Sequence, residues 1–366
     1  MTLEELDKNM AITNVKTPNL VWHDRHTPGF SFDGCADLEN FHRIDMAKHK
    51  DELPEGVQYG YHCTGITLRF RTNATVVAVR AVNWLEAFMP IMPLTGSHGF
   101  DLYLADLPEK EGDVSRLPRY KFTMRPMPTQ PTVVADEYPF RVQDNPGSWH
   151  DVEIGFPLYN GVLEFEVGLN AEAEIAPPSP FAFEKPVLFY GSSITQGAAA
   201  SRPGTCYTTM LARALRLPQI NLGFSGRALG EPEMARYIAE QSLSALVMDY
   251  DHNAPNAEHL RKTHENFYKI IREAQPDLPI IMMTRPNYEI NPGEAEENFA
   301  VIEATYKHAI AAGDKNLYLI DCRDVFGDDG EDACTVDTCH PTDLGFYRMY
   351  SAVRPVLEKA LGIRKD

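Results

Sequence analysis

Apolar and polar positions follow different rhythms in the two halves of the chain. Residues 1–176 are rich in runs with a period of two. In GITLRFRT (65–72), Ile66, Leu68 and Phe70 alternate with Thr67, Arg69 and Arg71. TVVAVRAV (75–82) follows after Asn73-Ala74, and the two runs read as a hairpin. GFDLYLAD (99–106), HDVEIGF (150–156) and GVLEFEVGL (161–169) are further strand candidates, with turn composition at 157–161 between the last two. Helical periodicity is nearly absent. The pattern predicts an all-β sandwich of jelly-roll type over 1–176. Trp22, Trp84 and Trp149 all fall in this half and read as core residues.

Four prolines within 173–186 mark a stiffened linker, placed at 177–186. Beyond it the rhythm changes. Short apolar runs at 187–190, 219–224, 245–250, 279–284 and 316–321 alternate with helical patterns near 206–216, 232–242, 257–275, 294–312 and 343–361. Strands apolar on both faces, each followed by a helix, predict an α/β domain over 187–366. Its parallel sheet would be covered by helices on both sides, in three layers. In such sheets the reactive groups gather at the carboxyl ends of the strands.

Composition narrows the partners. The formal charge is −18, from 34 basic against 52 acidic residues. An acidic surface repels phosphate backbones and anionic lipid heads, so neither nucleic acid nor a membrane is expected as a partner. The opening residues lack the basic lead and apolar core of a signal peptide, and there is no run of 18 apolar residues. Six scattered cysteines are too few for a disulfide scaffold in 366 residues. The expectation is a soluble, cytoplasmic protein with free thiols.

Candidate chemistry lies at the ends of the predicted parallel strands. The first strand runs straight into Gly191-Ser192-Ser193. Ser193 is a candidate nucleophile, provided a base and an orienting group meet it. The elbow G-x-S-x-G is not present, and a polar loop whose serines cap a helix remains open. Near the end of the chain, Asp337 and His340 stand three apart ahead of the last helix. Asp337 could accept the Nδ1 proton of His340, leaving Nε2 to take a serine proton. A solvated helix-entry loop capped by Thr342 or Asp343 is the alternative. Cys334, Cys339 and His340 lack the paired ligands of a zinc site. The second strand exits through Ser225-Gly226, where a glycine exposes its backbone N–H. The third exits through Asp251-His252-Asn253, and an asparagine amide suits a developing oxyanion. A turn glycine and a helix cap are the plainer readings of these two. Glycine spacing excludes a dinucleotide fingerprint, and no phosphate loop is present.

Ser193, Gly226, Asn253 and the Asp337–His340 pair, in that chain order, resemble the four motif blocks of the SGNH hydrolase superfamily, the GDSL-type esterases. The resemblance covers about residues 186–366. It implies a flavodoxin-like α/β/α domain, Ser193 as nucleophile, and His340 as general base oriented by Asp337. The N–H groups of Ser193 and Gly226 and the side chain of Asn253 would form the oxyanion hole. The usual Gly-Asp-Ser reads Gly191-Ser192-Ser193 here. The usual Gly-x-Asn-Asp reads Asp251-His252-Asn253-Ala254. In the front half, GFDLY (99–103) is similar to the Gly-x-Asp-Leu-Tyr motif of β-domains that precede one subgroup of these esterases. The resemblance implies an esterase that works through an acyl-enzyme without metal or organic cofactor. An acetylated carbohydrate or oligosaccharide is the favoured substrate. An acyltransferase built on the same residues and a non-catalytic carbohydrate-binding protein are the competing readings.

Overall fold

The period-two segments fold into antiparallel strands: β1 (Val21–His23), β2 (Ser31–Asp33), β3 (Thr67–Thr72), β4 (Val76–Trp84), β5 (Phe100–Asp106), β6 (Arg119–Met124), β7 (Pro126–Met127), β8 (Thr132–Pro139), β9 (His150–Gly155), β10 (Gly161–Leu169) and β11 (Ile175–Ala176). The computed structural model describes residues 14–55, 60–84, 89–127, 131–139, 147–286 and 291–363. One sheet has the order β1-β10-β4-β8-β7 and the other β11-β3-β9-β5-β6, with β2 also paired to β3. Their apolar faces share one core, in which Leu68, Phe70, Val77, Val79, Phe100, Leu102, Ile154, Phe165 and Val167 are all almost wholly buried. Phe156 and Phe165 anchor an aromatic cluster within it, with ring centroids 4.7 Å apart.

The structure corrects the expected hairpin. β3 and β4 lie in different sheets and do not pair with each other. Asn73-Ala74 lacks the left-handed backbone that a two-residue hairpin turn requires. The connection crosses from one sheet to the other instead. Ala74 is buried, and its N–H is held by Thr72 Oγ1 at 3.1 Å. Crossing lets the apolar faces of both strands cover one core. Trp22 and Trp149 are only partly buried and lie outside that core. Trp22 packs on Gly168 with the Arg80 guanidinium 4.3 Å from its ring centroid. The Trp84 side chain lies outside the described residues.

The second half carries the parallel sheet. Its strands are β12 (Val187–Gly191), β13 (Gln219–Gly223), β14 (Ala245–Asp249), β15 (Ile280–Met283) and β16 (Leu317–Ile320), in the order β13-β12-β14-β15-β16, all parallel. Every residue of β12 is buried, as a strand covered on both faces must be. The first strand lies between the second and third, so the crevice at its carboxyl end is the switch point of the sheet. In chain order the helices are α1 (Met46–His49), α2 (Leu94–Ser97), α3 (Ser193–Gln196), α4 (Tyr207–Leu215), α5 (Pro232–Ala239), α6 (Ala257–Ala274), α7 (Pro292–Ala311) and α8 (Asp343–Ala360). Pro232 and Pro292 begin their helices at the position where a missing N–H costs nothing. Asn256 and Thr342 cap α6 and α8 with their side chains. Among the described residues no helix is long and apolar enough to cross a membrane.

The chain forms two compact units. One holds the described residues of Met1–Ile44, Tyr61–Ala182 and Ser201–Gly204. The other holds those of Asp45–Gly60, Phe183–Ala200 and Thr205–Asp366. Ser179 N donates to Asp151 Oδ1 at 2.8 Å, and Arg69 reaches Ser179 O and covers the Phe181 ring, so the start of the proline-rich segment is fastened to the first unit. GFDLY fastens a second segment there. The buried carboxylate of Asp101 accepts from Gly204 N (2.7 Å), Arg202 Nη1 (2.8 Å) and Thr123 Oγ1 (2.7 Å), and Arg202 Nη1 also donates to Tyr103 OH (2.5 Å).

Candidate active site

β12 ends in a turn that admits no side chain at Gly191. A methyl group there would overlap the carbonyl oxygen of Asp249 and the hydroxyl of Thr195. The chain then enters α3 at once. Ser192 is its cap, with Oγ accepting from Ile194 N at 3.1 Å, and Ser193 is its first residue. The two hydroxyls therefore divide the work that the sequence left open: one caps, the other faces the crevice. Gly197, at φ 102°, closes the helix after a single turn. Ser193 is 8% exposed, and its Oγ lies 3.0 Å from His340 Nε2.

His340 is delivered by a tight loop between the 3₁₀ turn Glu331–Ala333 and α8. Val336 N donates to His340 O (3.0 Å) and Thr342 N to Cys334 O (2.9 Å), closing the loop on itself. Thr338 at its tip takes a left-handed backbone, φ 68°. Inside this loop Asp337 Oδ1 accepts from Cys339 N (3.1 Å) and His340 N (2.7 Å), while Oδ2 lies 2.8 Å from His340 Nδ1. The spacing of three thus comes from an aspartate turn, not from a helix face. Partial burial pushes the Asp337 carboxyl up, but the His340 and Cys339 amides and the His340 ring outweigh it and hold it below the usual carboxylate range. Among the described residues, no group of three or more His, Cys, Asp or Glu is arranged to hold a metal ion.

The turn after β13 presents the other candidates. Phe224 N donates to Gly191 O (2.9 Å), Ser225 N to Gln196 Oε1 (3.1 Å), Arg227 N to Phe224 O (3.0 Å) and Ala228 N to Asn253 Oδ1 (3.2 Å). Among the described residues the Gly226 amide, alone in this run, finds no acceptor. Gly226 has φ 69°, which its lack of a side chain makes cheap. Because Ala228 N needs an acceptor, the oxygen of the Asn253 amide is fixed by its partner. Its Nδ2 donates to nothing among the described residues. Two donors are therefore left unused on one turn and the side chain that braces it.

Several supporting residues escaped the sequence. Asp249, the one charged residue of the apolar strand β14, is buried beneath α3. It accepts from Thr195 Oγ1 (2.8 Å) and Tyr207 OH (2.7 Å), and its carbonyl takes Ser192 N (3.2 Å). Burial pushes its carboxyl up to about 7; the Tyr207 and Thr195 hydroxyls pull downward and the nearby Asp251 adds to the rise. Asp251 stands where the motif usually has glycine. Its carboxylate accepts from Arg285 N (3.2 Å) and Nε (3.4 Å), and Arg285 Nη2 returns to Asp251 O (2.9 Å). This pair pins the 3₁₀ turn Asp251–Asn253 to the segment after β15. The signal in the sequence was a lone acid closing an apolar strand, but its partners lie up to 54 positions away.

A serine–histidine pair thus stands at the carboxyl edge of a sheet ordered 2-1-3-4-5, where such sheets gather their reactive groups, and an antiparallel sandwich precedes that sheet in the chain. Residues 184–358 match the model of the GDSL-like Lipase/Acylhydrolase family, and residues 20–175 match GxDLY, the N-terminus of SGNH-hydrolase-type esterases. The two matches together span both halves of the chain, a GxDLY-like segment followed by a GDSL-like one. The chain's fold is shared with a Bacteroides ovatus protein described as a GDSL-like lipase, which is 27% identical over 94% of this chain and 99% of that one, at a TM-score of 0.79. The salicylyl-acyltransferase SsfX3 of a tetracycline biosynthetic pathway is 18% identical over 95% and 99%, at a TM-score of 0.73. A family two carbohydrate esterase from Clostridium thermocellum, solved with cellohexaose, is 14% identical over 82% and 93%, at 0.56. No curated protein matches the chain.

Proposed function

We propose that the protein is a serine esterase that deacetylates an acetylated carbohydrate or oligosaccharide. The observation that carries the reading is the hydrogen-bonded series Ser193 Oγ–His340 Nε2–His340 Nδ1–Asp337 Oδ2, at 3.0 and 2.8 Å. Ser193 Oγ attacks the ester carbonyl carbon while its proton passes to His340 Nε2. Asp337 keeps the other ring nitrogen protonated and stabilises the imidazolium. The tetrahedral oxyanion is received by the amides of Ser193 and Gly226 and by Asn253 Nδ2. As the C–O bond to the leaving alcohol breaks, His340 returns the proton to that alcohol. Water then attacks the acyl-serine with His340 again as base, releasing acetate and the free serine.

The choice of an acetylated carbohydrate is supported by the layout shared with a carbohydrate esterase. A second reading, acyl transfer to an alcohol acceptor, is favoured by the likeness to SsfX3 along almost the whole of both chains. The two differ only in what clears the acyl-serine. A panel of acetylated sugars and aryl esters of rising acyl length, with and without an acceptor alcohol, separates them. The esterase reading expects acetate release, a preference for acetyl, and loss of turnover in Ser193→Ala. Product accumulating as a new ester only when the acceptor is present would establish the transferase. A purely binding protein would turn over nothing in the panel.

A further inference from the structure

Gln196 has no part in the mechanism above, yet it joins two pieces of it. It stands three residues after Ser193 on α3, about one helical turn away, and so on the same side of that helix. Its side chain is fully buried, and Oε1 accepts the Ser225 amide at 3.1 Å. A buried carboxamide is costly unless its polar atoms are used. The main chain makes a second contact at the same place: a methyl group on Gly223 would overlap the backbone nitrogen of Gln196, so the end of β13 lies directly against α3. Gly226, whose amide is left without an acceptor among the described residues, follows Ser225 immediately. Asn253 holds the far side of the turn through Ala228 N.

We infer that Gln196 is a positioning residue: it ties the helix bearing the nucleophile to the turn bearing the Gly226 donor, and so aims that amide at the developing oxyanion. The inference rests on the esterase reading. Gln196→Met keeps length and burial but removes the acceptor. On 4-nitrophenyl acetate, kcat per titrated active site should fall about 10- to 100-fold, below the 100- to 1,000-fold of outright donor loss, with KM within about twofold. The potency of a trifluoromethyl ketone, which forms a tetrahedral adduct with serine, should fall by the same factor. Hydrogen exchange should rise in the 224–229 peptide. A merely structural role lowers the folded fraction and leaves kcat per site and inhibitor potency at wild-type values; that result overturns the inference. A crystal structure of the wild-type ketone adduct decides the matter even if the variant does not fold. Gly226 N within hydrogen-bond distance of the adduct oxygen, with Gln196 still on Ser225 N, supports it; Gly226 N turned away overturns it. Full activity in Ser193→Ala would sink the serine-nucleophile reading on which the inference rests, whereas an inactive Ser193→Ala beside a fully active Gln196→Met would sink only the role of Gln196.

Discussion

Asp337→Asn is the perturbation whose outcome the geometry constrains most tightly. Oδ1 of Asp337 takes two backbone amides, Cys339 N and His340 N, while Oδ2 takes only the imidazole. In the asparagine variant the single remaining oxygen belongs on the side of the two amides, because the alternative sets an NH₂ against both. The NH₂ then faces His340 Nδ1 and makes it an acceptor. The ring proton moves to Nε2, which points it at Ser193 and can no longer remove the serine proton. Relative to wild type, the productive tautomer has lost its hydrogen bond to a charged group, about 1.5–3 kcal/mol, and sets two donors face to face, about 1–3 kcal/mol more. The total of about 2.5–6 kcal/mol corresponds to a loss of about two to four orders of magnitude in kcat. The Asp337 side chain is 32% exposed, so water relieves part of the clash and favours the lower half of that range. Steady-state hydrolysis of 4-nitrophenyl acetate measures the loss, and a thermal melt provides the control. The melting temperature should move little, since the loop keeps both backbone hydrogen bonds. A correctly folded variant with more than a tenth of wild-type kcat would refute the orienting role of Asp337.

Other substitutions probe the surrounding parts. Asn253→Asp keeps the oxygen that holds Ala228 N but loses the Nδ2 donor; kcat should drop by about 10²–10³ with KM nearly unchanged, and near-normal turnover would remove Asn253 from the oxyanion hole. Gly191→Ala should fail to give soluble protein, because the new methyl meets backbone. Gly226→Ala has open space around it and should fold, at a cost of about 1–2 kcal/mol for its left-handed backbone, read as a lower denaturant midpoint. Asp249 links stability to pH. Its native carboxyl keeps its proton up to about 7, whereas an ordinary one loses it near 3.8, so between these values the native state binds more protons and stability drains away as pH rises. A gap of about three pH units is worth about 4 kcal/mol. Relative to wild type, Asp249→Asn should therefore gain stability between pH 4 and 8 in urea titrations, and a constant difference across that range would contradict the buried-carboxyl account.

The parallel sheet was legible because its strands are apolar runs and several of its helices carry their own start signal, such as Pro232, Asn256 or Thr342. Ser193 could be picked out because it opens a helix, and Asp337 with His340 because they stand in the short loop ahead of one, where local sequence fixes backbone direction. The crossing at Asn73-Ala74 was not, since period two reports which face a residue occupies and is silent about which strand it pairs with. Nor was the work of Ser192, because a cap and a nucleophile read alike when two serines adjoin. Asp249, Gln196 and the Asp251–Arg285 pair were hidden for another reason. Their partners are 54, 29 and 34 positions away, and nothing in the local sequence selects them. The same holds for Asp101, whose motif was recognised but whose hold on Gly204 N, 103 residues later, needed the folded chain.

Covalent capture at Ser193 tests the central claim most directly. Wild-type protein treated with a fluorophosphonate should gain one adduct per chain, mapped by peptide mass spectrometry to Ser193. Ser193→Ala should take up no label and lose at least about a thousandfold in ester hydrolysis. A label on another residue, or hydrolysis by Ser193→Ala at close to the wild-type rate, would contradict the account.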